Sequence, residues 1–175
     1  MKTEPLFENP IMRVVKRIKN IGGKPVARTV IEMPPAVMVI AIDKGNMVRF
    51  LGEYMASTGQ HENTFAKGRI DEGETAYEAA ERELAEELGL KGDLEHLLTV
   101  ANQPSHSTAV THIYVARNCR SIEQATGDEE DGTLYPKAMY YPNLVQQPEA
   151  VFSCVRCLAA MQALRIRDLE RQLGL

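Results

Sequence analysis

Between Gly68 and Leu90 the chain reads GRIDEGETAYEAAERELAEELGL, and the spacing of its glutamates is the first sign of chemistry. Tyr77, Ala80, Leu84 and Leu88 recur at intervals of three and four, the period of a helix with one apolar stripe. With that stripe as zero and ~100° per residue, Glu87 falls about 65° away, Glu83 about 105° and Glu86 about 165°. Glu83 and Glu87 therefore stand one turn apart at the edge of the buried face, while Glu86 points further toward water. Two carboxylates so placed repel by a few tenths of a kcal/mol even on an exposed helix, and by more once desolvated. A cation should offset that repulsion. Hard oxygen ligands with no clustered Cys or His favour Mg²⁺ or Mn²⁺ over zinc, and such ions act on phosphates. Gly68 and Gly73 allow a tight loop whose backbone can approach a metal or phosphate, and Arg82 is placed to orient a neighbouring carboxylate. These parts suit hydrolysis of a phosphoanhydride.

The helix that carries them has clear ends. Thr75 with Glu78 three residues later forms a capping-box pattern, and Gly89 stands where a left-handed cap is expected. Ala36 to Ile42 is apolar on both strand faces and, with the Asp43-Lys44-Gly45-Asn46 turn and Met47 to Tyr54, predicts the centre of a sheet covered on both sides. Further strands are expected over Glu95–Asn102 and Ala109–Arg117, then an irregular acidic stretch from Ser121 to Gln147. A last helix is expected from about Glu149 to Leu173, its stripe made by Val151, Cys154, Leu158 and Met161. Ile11–Ile18 and Pro25–Met33 read as an N-terminal β-hairpin around Gly22-Gly23. The architecture implied is α/β (α+β), a three-layer sandwich over residues 35–175 preceded by the hairpin of residues 1–34, a candidate dimerisation element.

Composition narrows the partners. With 175 residues, 20 basic and 24 acidic, the net charge is −4, and Lys and Arg are scattered rather than clustered. No nucleic acid polymer is expected as a partner. The apolar run Ala36 to Ile42 is far short of the roughly 20 residues of a membrane span, so no membrane is expected either. No signal-peptide core follows Met1, and three cysteines without framework spacing suit a reducing cytoplasm. Cys154-Val-Arg-Cys157 has the spacing of a redox pair, but inside an amphipathic helix it reads as apolar packing. His61, His96, His106 and His112 show no metal-ligand spacing. Tyr77 and Tyr114 suit a core, and Tyr54 is the best-placed residue for stacking on a base.

The Gly68–Leu90 segment resembles the Nudix box, G-x5-E-x7-R-E-U-x-E-E-x-G-U with U apolar. Every specified position is met, by Gly68, Glu74, Arg82, Glu83, Leu84, Glu86, Glu87, Gly89 and Leu90. The resemblance implies an α-β-α sandwich with a mixed central sheet that hydrolyses a nucleoside diphosphate linked to another group. It implies Mg²⁺, with Mn²⁺ as the alternative, held by Glu83, Glu87, Glu86 and the backbone carbonyl of Lys67, with Arg82 in the catalytic set. Phe65-Ala66-Lys67-Gly68 with Glu62 upstream, Tyr77-Glu78-Ala79-Ala80, Gly127-Asp128-Glu129 and Pro104 are similar to the ADP-ribose pyrophosphatase and bacterial ADP-compounds hydrolase branch. The implied products are AMP plus a sugar phosphate. Glu62, Gly68, Arg69, Tyr54 and Pro104 are then the expected substrate contacts, and the implied general base is Glu129 or Glu130 in the late acidic loop. The branch resemblance also implies a homodimer. Gly52 departs from the pattern, standing where these relatives usually carry an arginine before Glu53-Tyr54. A hydrolase of other nucleoside diphosphate sugars, and a non-catalytic ADP-ribose-binding module, remain as alternatives. A module of the second kind usually lacks a box carboxylate, and this chain has all of them.

Overall fold

The computed structural model describes residues 1–122 and 134–175. The chain opens with β1 (Lys2–Glu8), β2 (Arg13–Ile21) and β3 (Lys24–Glu32), a separate antiparallel sheet in that order. The expected hairpin is β2–β3, closed by Gly22 and Gly23 at φ +59° and +82°, the left-handed pair that a two-residue hairpin turn requires. β1 was not expected, because KTEPLFE carries charge and a proline and shows no clean alternation. The small sheet is tied to the rest of the chain by Ile31 N–H to His106 O (2.7 Å), Thr108 N–H to Ile31 O (2.9 Å) and Met33 N–H to Thr108 Oγ1 (3.0 Å).

The main sheet has seven strands: β4 (Ala36–Asp43), β5 (Met47–Met55), β6 (Gln60–Thr64), β7 (Ala66–Arg69), β8 (Leu90–Ala101), β9 (Val110–Ser121) and β10 (Leu134–Tyr140). Its order is β10-β5-β4-β9-β8, with β6 paired to β5 and β7 to β4. β4 and β9 run parallel and the other pairs antiparallel, so the sheet is mixed as expected. Helix α1 (Ala76–Leu88) lies on one face. Helix α3 (Val155–Leu173) covers the other, preceded by the short α2 (Tyr141–Leu144) and a 3₁₀ turn at Pro148–Ala150.

β4 explains the layering. Val37, Val39 and Ala41 cluster with Ala79, Ala80 and Leu84 of α1, while Met38, Ile40 and Ile42 cluster with Cys157, Ala160, Met161 and Leu164 of α3. Period-two alternation of an apolar run thus feeds two cores at once.

Other expectations shift. β8 starts at Leu90, directly after the left-handed Gly89, instead of at Glu95, and β9 runs on to Ser121. β10 lies in the stretch read as irregular; it is an edge strand paired to β5, so only tertiary pairing specifies it. α3 starts at Val155 and not near Glu149, because Phe152 leaves the helical path to wedge between Phe50 and Phe65, with ring centroids at 5.4 and 4.5 Å. Tyr114 is buried as expected, whereas Tyr77 is 46% exposed and only its edge meets the Tyr114 ring.

Candidate active site

α1 is positioned by the ends read from the sequence. Thr75 Oγ1 accepts from Glu78 N–H (3.2 Å), the Thr75 N–H donates to Glu78 Oε2 (2.8 Å), and Gly89 closes the helix at φ +62°. The small side chains of Ala79 and Ala80 are fully buried against the sheet, which brings the helix edge carrying Glu83 and Glu87 onto β7.

Glu83 is only 8% exposed, and its carboxylate lies directly over the Gly68 backbone. A Cβ on residue 68 would stand 1.8 Å from Glu83 Oε1, so no side chain fits there. One turn on, Glu87 Oε2 accepts the Lys67 N–H at 2.8 Å. The Lys67 ammonium is paired with Glu53 of β5. Arg82 organises the other side. Its Nε and Nη2 donate to the two oxygens of Glu74 (2.9 and 3.0 Å), its Nη1 to Glu83 Oε1 (2.6 Å) and Glu86 Oε2 (3.0 Å), and its Nη2 also to the Arg69 carbonyl (2.9 Å). Glu74 in turn accepts the Asp71 N–H at 3.0 Å, which holds the loop before the helix. One planar guanidinium therefore fixes three carboxylates and a backbone turn.

The electrostatics are those of a site short of positive charge. Burial pushes the Glu87 carboxyl up to about 7, and the charges of Glu83 and Glu53 push the same way, against the Lys67 N–H and ammonium. Burial also raises Glu83 despite the Arg82 contact. Glu74 moves the other way, lowered by its hydrogen bonds from Arg82 and Asp71. A buried and a half-buried carboxylate that resist ionisation, one turn apart and beside a backbone cradle, match a hard divalent cation in charge and in ligand chemistry. Among the described residues no three His, Cys, Asp or Glu form a ready-made metal cage.

The expected site residues divide. Lys67, Gly68, Arg82, Glu83, Glu86 and Glu87 come together, and Arg69 joins through its carbonyl while its side chain is exposed. Tyr54 lies on β5 beside Glu53, 46% exposed, with its ring against His61. Glu62 bonds Ser153 Oγ (2.7 Å) and Thr58 Oγ1 (3.1 Å). Pro104 is on the exposed loop between β8 and β9 that anchors β3. No hydrogen bond or ion pair among the described residues links these last three to the box. Glu129 and Glu130 lie in 123–133, outside the described residues. Glu53 was not anticipated in the cluster; its one signal is the strand alternation of Leu51 and Glu53 beside a glycine. At Gly52, Lys137 Cε and Nζ from β10 stand 3.2 Å from where a Cβ would be, so a lysine fills the room beside the missing arginine. Lys137 also donates to Asn63 Oδ1 at 2.7 Å.

A mixed sheet between two helices, presenting a buried and a half-buried carboxylate beside a glycine cradle, suits a phosphoanhydride hydrolase. The chain belongs to the Nudix family: residues 32–150 match the model described as NUDIX domain. It is 35% identical over 126 residues to the ADP compounds hydrolase NudE of Escherichia coli (strain K12), covering 71% of this chain and 61% of that one. It is 29% identical over 133 residues to the methanol dehydrogenase activator of Bacillus methanolicus, covering 75% and 72%. A solved structure titled as the crystal structure of ADP compounds hydrolase superposes with a TM-score of 0.78 at 27% identity, over 99% of this chain and 94% of that chain.

Proposed function

We propose that this Nudix hydrolase cleaves the pyrophosphate bond of ADP-ribose or related ADP-sugars and dinucleotides, releasing AMP and a sugar phosphate from ADP-ribose. The observation that carries the reading is the pair Glu83, buried on the Gly68 cradle, and Glu87, half-buried on the Lys67 N–H, with too little positive charge beside them. Glu83, Glu87, Glu86 and the Lys67 carbonyl would hold Mg²⁺ or Mn²⁺. When bound, the ion supplies charge neutralisation on the diphosphate and a more acidic water. The chain's own contribution is order. Arg82 sets the rotamers of Glu83 and Glu86, Glu74 anchors Arg82, and Lys67 holds Glu87 in register with the loop. Glu129 or Glu130, read from the sequence alone, takes the proton of the attacking water.

The ADP specificity draws on the likeness to ADP compounds hydrolases. Incubation with Mg²⁺ and ADP-ribose should release AMP, Glu87→Gln should abolish that release, and a panel of nucleoside diphosphate sugars should favour the ADP compounds. Tight ADP-ribose binding without products would overturn the reading in favour of a sensor. Of the two loop glutamates, the one acting as base is identified by a Gln variant that lowers kcat while leaving metal affinity in place. A homodimer through the N-terminal sheet is supported by its exposed Leu6, Phe7, Ile11 and Ile21, each at least 50% accessible. A monomeric mass by light scattering would remove it. Three free cysteines suit a reducing cytoplasm, and among the described residues no helix is long and apolar enough to cross a membrane.

A further inference from the structure

The four histidines stand apart in sequence, and only strand pairing can bring two of them together. β8 and β9 do so for His96 and His112. In this antiparallel ladder His96 stands opposite Tyr114, Leu98 opposite Ile113, and Thr99 opposite His112. Two steps along β8 therefore match one along β9, a β-bulge with Leu97 as the extra residue. In a regular strand His96 and Thr99, three residues apart, would point to opposite faces. The bulge turns the Thr99 hydroxyl onto the face that carries both imidazoles. That is the α1 face, since Tyr114 packs with Ala79, Ala80 and Leu84. β8 is the last strand of the sheet, so the group lies at an open edge, with His96 and Thr99 exposed and His112 half-buried. It is distinct from the box. Gly68, Val37, His112 and Thr99 are successive partners across β7, β4, β9 and β8, and Val37 lies under α1 between the two.

We infer that His96 Nε2, His112 Nδ1 and Thr99 Oγ1 form an edge site for a divalent transition-metal ion of the zinc type. Thr99 Oγ1 is 3.0 Å from His96 Nε2 and 3.0 Å from His112 Nδ1, and the ring centroids are 6.3 Å apart. The edge-on contact of His96 with the buried Tyr114 ring, centroids at 5.3 Å, fixes the tilt of the first imidazole. A hydroxyl has one proton, so Thr99 donates to one ring nitrogen and accepts from an N–H of the other ring. One lone pair already points at the centre of the group, and the second ring needs only a change of tautomer to present another. Zinc–nitrogen bonds are about 2.0–2.1 Å long. Rings that already converge on one oxygen reach an ion there by small side-chain rotations, with the hydroxyl and water as the remaining donors. Imidazole nitrogen favours Zn²⁺, Ni²⁺ or Cu²⁺ over Mg²⁺, so this site and the oxygen-lined box take different metals. Two rings on paired strands also chelate: once the first nitrogen binds, the second is held beside the ion.

Titration of the full chain with Zn²⁺ in excess Mg²⁺ tests this, followed by calorimetry and by long-range proton–nitrogen spectra of the histidine rings. The expected result is zinc bonded through Nε2 of His96 and Nδ1 of His112, opposite nitrogens of the two rings, while the resonances of His61 and His106 stay in place. His96→Asn and His112→Asn should each weaken this binding on the order of tenfold or more, and the double variant should bind little worse than either single one. Replacing His61 and His106 together by Asn should leave it unchanged. Zinc that leaves both rings unshifted, held by the cysteines or the box carboxylates alone, would overturn the inference. So would bonding through one ring only, or no zinc binding at all, which would leave a hydrogen-bonded surface group. The spectra need no variant and read no hydrolysis, so the outcome is independent of the activity proposed for the box.

Discussion

The two faces of β4 are built from one run of residues but to different ends. On the α3 face, Met38, Ile40 and Ile42 meet three phenylalanines, Met161 and Leu164, bulky side chains that fill volume. On the α1 face, Val37, Val39 and Ala41 meet Ala79, Ala80 and Ala116, small side chains that let a helix and a sheet approach closely. The close approach seats the Glu83 carboxylate on the Gly68 backbone, and it leaves Glu87 half-buried with an acidic neighbourhood. One face therefore holds the stability of the domain. The other gives up some of it to keep charged groups where a cation and a phosphate can use them.

The largest expected effect tests the first half of that contrast. Phe152, 1% exposed between Phe50 and Phe65, is the wedge of the α3 face. Phe152→Ala should cost about 3–5 kcal/mol in urea unfolding, with kcat of the remaining folded protein unchanged. A fall in kcat at constant folded fraction would mean that the two faces are not independent. The reciprocal change is Gly68→Ala. The added methyl must displace the Glu83 carboxylate, and AMP release should fall on the order of a hundredfold, close to 2.7 kcal/mol, from a fold that still unfolds cooperatively. Retained activity would show that the cradle is incidental.

How much of this was legible in the sequence follows the same division. The α1 signals are local: a capping box, an apolar period and a left-handed glycine act over one or two turns, and all are in place. The angular reading put Glu83 and Glu87 at the buried edge and Glu86 outward, and the side chains of Glu83 and Glu86 are 10% and 39% exposed. It ranked Glu87 as nearer the buried face than Glu83, because helix geometry alone does not know that β7 passes under Glu83. β6, β10 and the start of α3 were not legible for a related reason. QHENT and LYPKAMY carry no strand pattern of their own and exist as strands through pairing with β5. The start of α3 is set by Phe152 reaching partners about 90 residues earlier in the chain. Glu53 enters the site by the same kind of long-range pairing, through Lys67.

A third measurement asks whether the α1 face lacks a cation. In the metal-free protein the folded-state value of Glu87 is about 7, above its ordinary carboxylate value, so between these values the folded chain holds a proton the unfolded chain has released. Stability from this group is present at the acid end of that window and is lost as pH rises through 7. Metal-free protein should therefore lose on the order of 1–2 kcal/mol between pH 5 and 8 beyond what Glu87→Gln loses. Saturating Mg²⁺ should flatten the difference, since the ion replaces the proton. Equal slopes in the two metal-free proteins would contradict the charge deficit.

The smallest expected effect lies at the far end of the same helix. Thr75 Oγ1 and Glu78 satisfy two N–H groups at the start of α1, and nothing at that end touches Glu83 or Glu87. Thr75→Ala removes one acceptor and should cost about 1 kcal/mol in thermal or urea unfolding. What the variant does to kcat decides between two ways of placing the carboxylates. If the seat under Glu83 and the Arg82 contacts set the register of α1, the helix frays at Thr75 and kcat stays within a factor of two. If the cap sets the register, the glutamates shift along β7 and kcat falls well beyond the stability loss. The Gly68 contact and the Arg82 bonds to Glu83 and Glu86 lie within the last two turns of α1 or beneath them, and they favour the first outcome, although Arg82 also reaches Glu74 just ahead of the cap.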